Sequence, residues 1–360
     1  MGYKISGTTT ETTRIIILKE SDWSIESNTV VSGSGVYEID GLDVGDKLIV
    51  GVTNDDDVVG WSGVAAEEYA DPIENGDRGV ITAGLISFVE TNIIDYITIS
   101  SESGSLGFGD LTYDVAWVGM TSNGGWDRGV IAGGSPAPTN NIEYITISTL
   151  SNSATFGELT YARQQLASTS NGINNRGVFS GGGQNIIDYI TISTLNDAQD
   201  FGDLTVTRTR HAACSNGTND RALFAGSGSA PGYNTIDYVT ISTTAHAQNF
   251  GELSEGRYAF GGISNGINNR GIFGGGQRLG PSFNTIDYVT ITTLANAQDF
   301  GDLTSARDGG GACSNGVNER GVFVGPDTVM DYVTISSLGH AATFGSLLDN
   351  YYGCVATSNA

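Results

Sequence analysis

Positive charge is scarce in this chain. Its 360 residues include only 16 Lys or Arg against 40 Asp or Glu, a formal net charge of −24, and Lys occurs only at positions 4, 19 and 47. A surface so acidic repels phosphate, so no nucleic-acid partner is expected. An acidic, Lys-poor surface also suits a protein kept soluble in salty surroundings. Long apolar runs are missing as well. No segment approaches the ~20 residues of a membrane-spanning helix, so no membrane insertion is expected. The first residues, MGYKISGTTTETTRIIIL, show no basic stretch ahead of an apolar one, so no secretory signal is read there. Gly2 and Ser6 fit a myristoylation pattern that is too loose to imply lipidation. Cysteine is rare: there are three, an odd number without metal-ligand spacing. Cys214 and Cys313 recur at one repeat position and read as small buried strand residues. Only three His are present, at 211, 246 and 340.

Glycine is plentiful, with 52 copies, and so is repetition. A ten-residue phrase, SNGINNRGVF at 170–179, recurs in close copies at 122–131, 215–224, 264–273 and 314–323. An Arg always stands six residues after its Ser: Arg128, Arg176, Arg221, Arg270 and Arg320. A second phrase, acidic-Tyr-(Ile/Val)-Thr-Ile, is centred on Tyr96, Tyr144, Tyr189, Tyr238, Tyr288 and Tyr332. Twelve residues after each Tyr comes Phe-Gly, and fourteen after each Phe comes Ser-Asn. The spacing between Tyr copies is 44–50 residues, the length of a propeller blade.

Each copy reads as four short strands. Strand a ends in a phrase like ACSN. The Asn-Gly and Asn/Asp residues after it are hairpin-turn chemistry. Strand b is RGVFxGG, strand c is IDYVTIS, and strand d surrounds FGDLT. Strand c is rich in β-branched and aromatic residues on both faces, as expected of a sheet packed between two neighbours. No segment shows a helical period. Strand b first occurs at 75–84, and the last strand a is YYGCVATSNA at 351–360. The first blade therefore borrows its strand a from the far end, and six blades close into a ring. The predicted fold class is all-β, a six-bladed propeller over 75–360 preceded by a small β domain over 1–70.

The blade resembles a kelch-type repeat. Carrying the resemblance are the Gly pairs after strand b (Gly133–Gly134, Gly181–Gly182, Gly275–Gly276), the strand-c Tyr and an aromatic in strand d. Arg163, Arg208, Arg257 and Arg307 then stand before the next strand a. The departures are a Phe where kelch repeats have Trp, a longer Tyr-to-aromatic gap, and the broken pairs Gly226–Ser227 and Gly325–Pro326. Residues 33–52, GSGVYEIDGLDVGDKLIVGV, resemble small carboxypeptidase-regulatory-like β-sandwiches, modules that commonly attach larger proteins to scaffolds. The joint is placed near 65–74, where charge rises and Pro72 stands. Asp55, Asp56 and Asp57 read as a solvated turn, because they lack the spacing of a calcium loop.

Catalysis finds no set of residues. His246 and His340 fall between strands c and d and His211 precedes a strand a, so the three cannot meet on one metal. Neither a nucleophile elbow, nor a phosphate loop, nor a sialidase Asp box is present. No enzyme activity, metal or cofactor is expected. The strand-b arginines, beginning with Arg78, recur in every blade and read as structural, through ion pairs or carbonyl contacts with repeat carboxylates such as Asp188 or Asp203. Arg163, Arg208, Arg257 and Arg307 recur in four blades and are read as structural, with an anion-binding ring as the alternative. Variation concentrates between strands b and c, where five of the six prolines lie (Pro136, Pro138, Pro231, Pro281, Pro326) beside Phe88, Tyr233 and Phe283. Antiparallel topology puts the d–a connections on the same face, with Trp117, Tyr258, Phe260, Tyr351 and Tyr352. This varied face is the candidate ligand-binding face, and the other is read as uniform. Drifting loops under no functional demand are the alternative.

A small β module before a Gly-rich, acidic propeller with nearly identical copies resembles virion structural proteins of marine tailed bacteriophages. The resemblance implies a tail, fibre or capsid-decoration protein in the extracellular particle, present in multiple copies. It implies contact with other virion proteins through residues 1–70 and with a host-surface glycan or receptor through the varied face. The alternatives are a cellular kelch-like interaction or adhesion propeller and, more remotely, a propeller hydrolase or oxidase.

Overall fold

Strand b supplies the middle of every blade and buries both faces, which is why its residues are apolar without alternation. The structure, a computed structural model, describes residues 76–229 and 233–360 in full and, before residue 76, the backbone of seven strands between Gly2 and Tyr69. The chain divides into two compact units, Met1–Ile73 and Glu74–Ala360. In the first, Gly35–Leu42, Gly2–Thr9 and Glu67–Tyr69 form one antiparallel sheet. Ile25–Val31, Thr13–Lys19, Lys47–Val52 and Val58–Gly60 form another. Whether these sheets pack as a sandwich lies outside the described residues, as do Asp55–Asp57, Pro72 and Pro231.

The second unit is a six-bladed propeller of antiparallel sheets in the strand order a-b-c-d. Blade 3 is typical: Leu166–Ser170, Arg176–Gly181, Gln184–Thr191 and Gln199–Arg208. Blade 1 takes its strand a from Val355–Ser358, which pairs antiparallel with Arg78–Thr82. The ring is therefore closed by the last strand of the chain, as the repeat count requires. The core is not one body but six apolar clusters, one at each seam between adjacent blades. At the 4–5 seam, for example, Leu223, Ile236 and Phe250 of blade 4 meet Phe273, Val289 and Ile291 of blade 5.

The repeated SN dipeptide is the hoop of this ring. Each strand-a Ser hydroxyl donates to the carbonyl of the preceding blade's Ser at 2.5–2.8 Å, and the six bonds close on themselves through Ser122 and Ser358. Each following Asn accepts the N–H of its blade's strand-b Arg at 2.7–3.1 Å. Its amide donates to the turn residue of the next blade (Asn123 to Asn175, onward to Asn359 with Asp127), forming a second closed circle. The turn between makes the hairpin expected from Asn-Gly. In blades 2–6 it is one turn of 3-10 helix, such as Gly172–Asn174, closed by a left-handed residue such as Asn175.

The strand-b arginines make the expected carbonyl contacts, but across the seam. Arg78 donates to Ile147 at 2.9 Å, Arg128 to Ile192 at 3.1 Å and Arg221 to Ile291 at 3.1 Å. Each guanidinium also lies 4.4–4.9 Å over the strand-c Tyr of its own blade. Asp188 is not their partner.

Candidate functional site

The b–c and d–a connections open on one face of the ring, and all eleven residues singled out for that face lie on these connections or at the end of strand d. The structure sorts them by burial. Arg163, Arg208, Arg257 and Arg307 lie inside the seams, almost without exposure. Each pairs with the strand-c Asp of the next blade, Asp188, Asp237, Asp287 and Asp331, at 2.5–2.9 Å. The same carboxylates accept the hydroxyls of Thr160, Thr205, Ser254 and Thr304 at 2.6–2.7 Å. A charge removed from water must be paired where it lies, so these arginines, buried and each facing a carboxylate, are not presented to an outside anion. The anion-ring alternative is thereby withdrawn for all four. Tyr351, also placed on the binding face, and Phe260 are buried too.

Two seams depart from the arginine pattern, and the departures explain the count of four. Tyr351 takes the Arg position between blades 6 and 1, and its hydroxyl donates to Asp95 at 3.0 Å. Val115 takes it between blades 1 and 2, where Glu143 is satisfied instead by Thr112 and by Ser153 at 2.6 Å. At the ring-closing seam Asp95 therefore has no cation. Burial raises its pKa above the ordinary 3.8, against the lowering effect of its bonds from Tyr351 and Ser105. An acid whose folded pKa is raised gives stability that is full below the unfolded pKa and is lost as pH rises through the folded pKa. Asp95→Asn should remove this loss. Thermal midpoints of variant minus wild type should be larger at pH 8 than at pH 4. Equal differences at both would show that ionised Asp95 costs nothing.

Six residues two positions past the Arg site ring the channel mouth: Trp117, Gln165, Arg210, Ala259, Gly309 and Gly353. All six have left-handed backbone, from φ 49° at Arg210 to φ 77° at Gly353. Each N–H donates to the carbonyl of the residue before it in the ring at 2.5–3.1 Å, so six backbone bonds form a closed circle. Strain of this kind at non-glycine residues is held only by such cross-bracing. The two glycines also make room for aromatics. A Cβ on Gly353 would stand 2.7 Å from the Trp117 indole, and one on Gly309 would stand 2.3 Å from the Tyr352 ring.

The side chains of this circle are unlike one another. Arg210 stacks 4.6 Å over Trp117, and Trp117 meets Tyr352 edge-on at 5.2 Å. Tyr352 donates to Asp308 at 3.0 Å, and Asp308 also accepts from Gln277 and Ser282, both at 2.6 Å. Trp117, Tyr352 and Tyr258 are thus half-buried parts of one mouth, with Tyr258 bridged to Gln277 through the backbone. Tyr233 and Phe283 are half-buried in the neighbouring loops, and Arg278 lies 5.0 Å over Tyr233.

Phe88 alone among the eleven is fully displayed, at 91% exposed. It sits at the tip of a tight hairpin, with φ 52° at Ser87 and 66° at Phe88. Leu279 matches it at the tip of the blade-5 loop, 86% exposed with φ 54°. Sequence reading passed over Leu279, Arg210, Arg278 and Asp308. A signal was available for the arginines: Arg210 and Arg278 are the two in the propeller that fill no repeat position, and both stack on an aromatic of this face.

His211 lies in the wall below the mouth, with Nε2 2.8 Å from the Ser180 hydroxyl. Burial, then the charges of Arg208 and Arg163, push its pKa well below the usual imidazole value, so it stays neutral. His246 and His340 are exposed on the opposite side, each accepting a strand-d N–H, from Asp203 and Asp302, at 3.1 Å. Among the described residues, no group of three or more His, Cys, Asp or Glu is placed to hold a metal ion. The three cysteines are free and buried, and burial raises the Cys313 and Cys354 thiols to about 12.

No family model matches the chain, and no curated protein matches it. Among solved structures it is similar to a fungal alcohol oxidase of the AA5 family in complex with copper, with a TM-score of 0.52 at 12% identity. The match covers 77% of this chain and 64% of that one, so this chain spans less than two thirds of the oxidase's length. At that identity the likeness is one of fold.

Proposed function

We propose that this chain is a non-enzymatic structural protein of a tailed-phage particle, carried on tail, fibre or capsid, whose propeller presents its varied face to a host-surface glycan or receptor. The observation that carries the recognition half is the pair Phe88 and Leu279. Two loops from different blades each hold a bare apolar side chain at the tip, on strained backbone, at a cost to the folded chain that contact with a partner would offset. Beside them lies a mouth of aromatic, Arg, Asp and Gln side chains, the mixture that suits a polar ligand with apolar faces. The particle half rests on resemblance of architecture: a small β module, a Gly-rich acidic propeller and nearly identical copies. In this reading residues 1–70 attach the protein to other virion proteins.

The experiment is binding of the full chain to a glycan array and to host cells. Phe88→Ser with Leu279→Ser should weaken a real hit at least ~10-fold, since two exposed anchors are lost, while leaving the thermal midpoint unchanged. Undiminished binding would place recognition elsewhere. Labelling of purified particles by electron microscopy tests the particle half. Removal of residues 1–70 should abolish attachment while leaving the ring folded. The oxidase likeness favours one second reading, a propeller enzyme. Its donors would have to meet, whereas His211 stands in the channel wall and His246 and His340 open on the other face. Turnover of alcohols by copper-loaded protein would revive it.

A further inference from the structure

Two propeller arginines keep their guanidinium clear of carbonyl and carboxylate. Among the described residues, every other one donates to a backbone carbonyl across a seam or pairs with a buried Asp. Arg210 and Arg278 do neither, and each lies over an aromatic ring, Trp117 at 4.6 Å and Tyr233 at 5.0 Å. Arg210 also lines a cavity. At the channel mouth a pocket of about 90 Å³ is bounded by Trp117, Gln165, Arg210, His211, Ala259 and the inner strands. No Asp or Glu lines it, in a chain that carries 40 of them. Its His211 is neutral, so Arg210 is the one charge in its wall. In the amide orientation that satisfies both groups, Nε and Nη2 of Arg210 donate to the Gln165 oxygen at 3.2 Å. One edge of the fork is thereby held. The Nη1–Nη2 edge has no partner among the described residues, and a half-buried guanidinium with an open edge suits an anion.

The approach to Arg210 is also free of like charge to an anion. The acids on or beside the connections of this face are Glu90, Asp114, Glu255, Asp308, Asp327 and Asp349, all from the end of blade 4 round to the end of blade 1. The connections at 133–138, 164–165, 182–183, 209–211 and 226–234, which serve blades 2–4, hold none. Asp308 has both oxygens engaged by Tyr352, Gln277 and Ser282. The strand-d acids Glu158 and Asp203 are turned to Asn140 and His246. An anion can therefore reach Arg210 across an acid-free sector of an otherwise acidic protein.

We infer that this pocket takes the carboxylate of an acidic sugar, with the sugar ring lying on the rim against Trp117, Tyr258 and Tyr352. The inference rests on the recognition reading and gives its ligand a chemistry. A carboxylate is planar, with two oxygens spaced for the open edge of the fork. At about 90 Å³ the pocket is far below the ~300–1,000 Å³ that encloses a whole small ligand, so it receives one group while the rest stays outside. Half-buried Trp and Tyr offer that remainder an apolar face with a polar tip.

The test uses the full chain on an array of carboxylated, sulfated and neutral glycans. Trigalacturonic acid and sialyllactose are then titrated, each as free acid and as methyl ester, which separates a uronic from a sialic source. Array hits should be confined to carboxylated glycans, and esterification should weaken binding at least ~10-fold, the worth of a charge-assisted pair. Arg210→Gln should cost the same factor toward the acid and nothing toward the ester, with an unchanged thermal midpoint. The comparison of acid with ester on the wild type stands whether or not that variant folds. Equal affinity for acid and ester, undiminished binding by folded Arg210→Gln, or hits confined to neutral or sulfated glycans would each overturn the inference and leave the recognition reading standing. Binding to host cells without any glycan hit would do the same. Binding to neither array nor cells would overturn the recognition reading and this inference with it.

Discussion

Deleting residues 351–360 is expected to abolish the folded propeller, not merely to fray its end. The segment supplies the whole of strand a in blade 1, so its loss bares the strand Arg78–Thr82 along one edge. It removes Tyr351 and Cys354 from the 6–1 cluster and strips Asp95 of its Tyr351 donor. It also breaks both hoops at once, since Ser358 donates to Ser314 and accepts from Ser122, and Asn359 caps Arg78. Lost burial and unpaired buried groups together amount to roughly 5–10 kcal/mol, the size of a domain's entire stability. Circular dichroism and limited proteolysis would show an unfolded or readily cleaved chain at 25 °C. A permuted chain in which residues 351–360 directly precede Gly76 should regain the native melting transition, because the strand then closes its blade locally. Unchanged melting of the deletion would mean that the clasp does not hold the ring.

Arg208→Met is the second large effect. The arginine is wholly buried between blades 3 and 4, where it pairs with Asp237 at 2.9 Å and donates to Gly226 and Thr235 at 2.6 and 2.9 Å. Methionine fills much of the space but leaves Asp237 as a buried charge with only Thr205 for company. Removing one member of such a pair costs ~3–5 kcal/mol. Urea unfolding should show an unfolding free energy lower by that amount, read as a lower midpoint with an unchanged slope. Arg208→Met combined with Asp237→Leu should recover much of it, because the stranded charge is gone. The 1–2 seam is an internal precedent: Val115 stands at the Arg site there, and Glu143 is satisfied by hydroxyls and an amide alone. A small loss in the single variant would mean that water reaches Asp237.

Strand content, blade count and the clasp were legible in the primary sequence because each is encoded locally and then copied. A Ser-Asn-Gly turn, a β-branched strand and a Phe-Gly strand announce themselves within a few residues, and counting copies does the rest. Arg176 could be read as structural for the same reason, since it recurs in every blade. Its partner could not. Asp188 lies twelve residues away in sequence, but the blade twist sends it to Arg163 of the preceding blade. The a–b hairpin was legible from its Asn-Gly, but its tie to the next blade was not, because that depends on Asn171 reaching Asp220 across the seam.

Burial separated the candidate residues, and burial is a property of the closed ring. Composition could not tell Phe88 from Phe260, or Tyr352 from Tyr351, because all four are aromatics on connections of one face. Ring closure puts Tyr351 against Asp95 and Phe260 against Phe273, and leaves Phe88 at a hairpin tip in water. Sequence by itself determined that residues 75–360 are six copies of one sheet and that the last strand completes the first blade, because turn and strand chemistry act between near neighbours. Tertiary structure alone decided which arginines are spent on seams and which side chains face water, because those depend on contacts between residues in different blades.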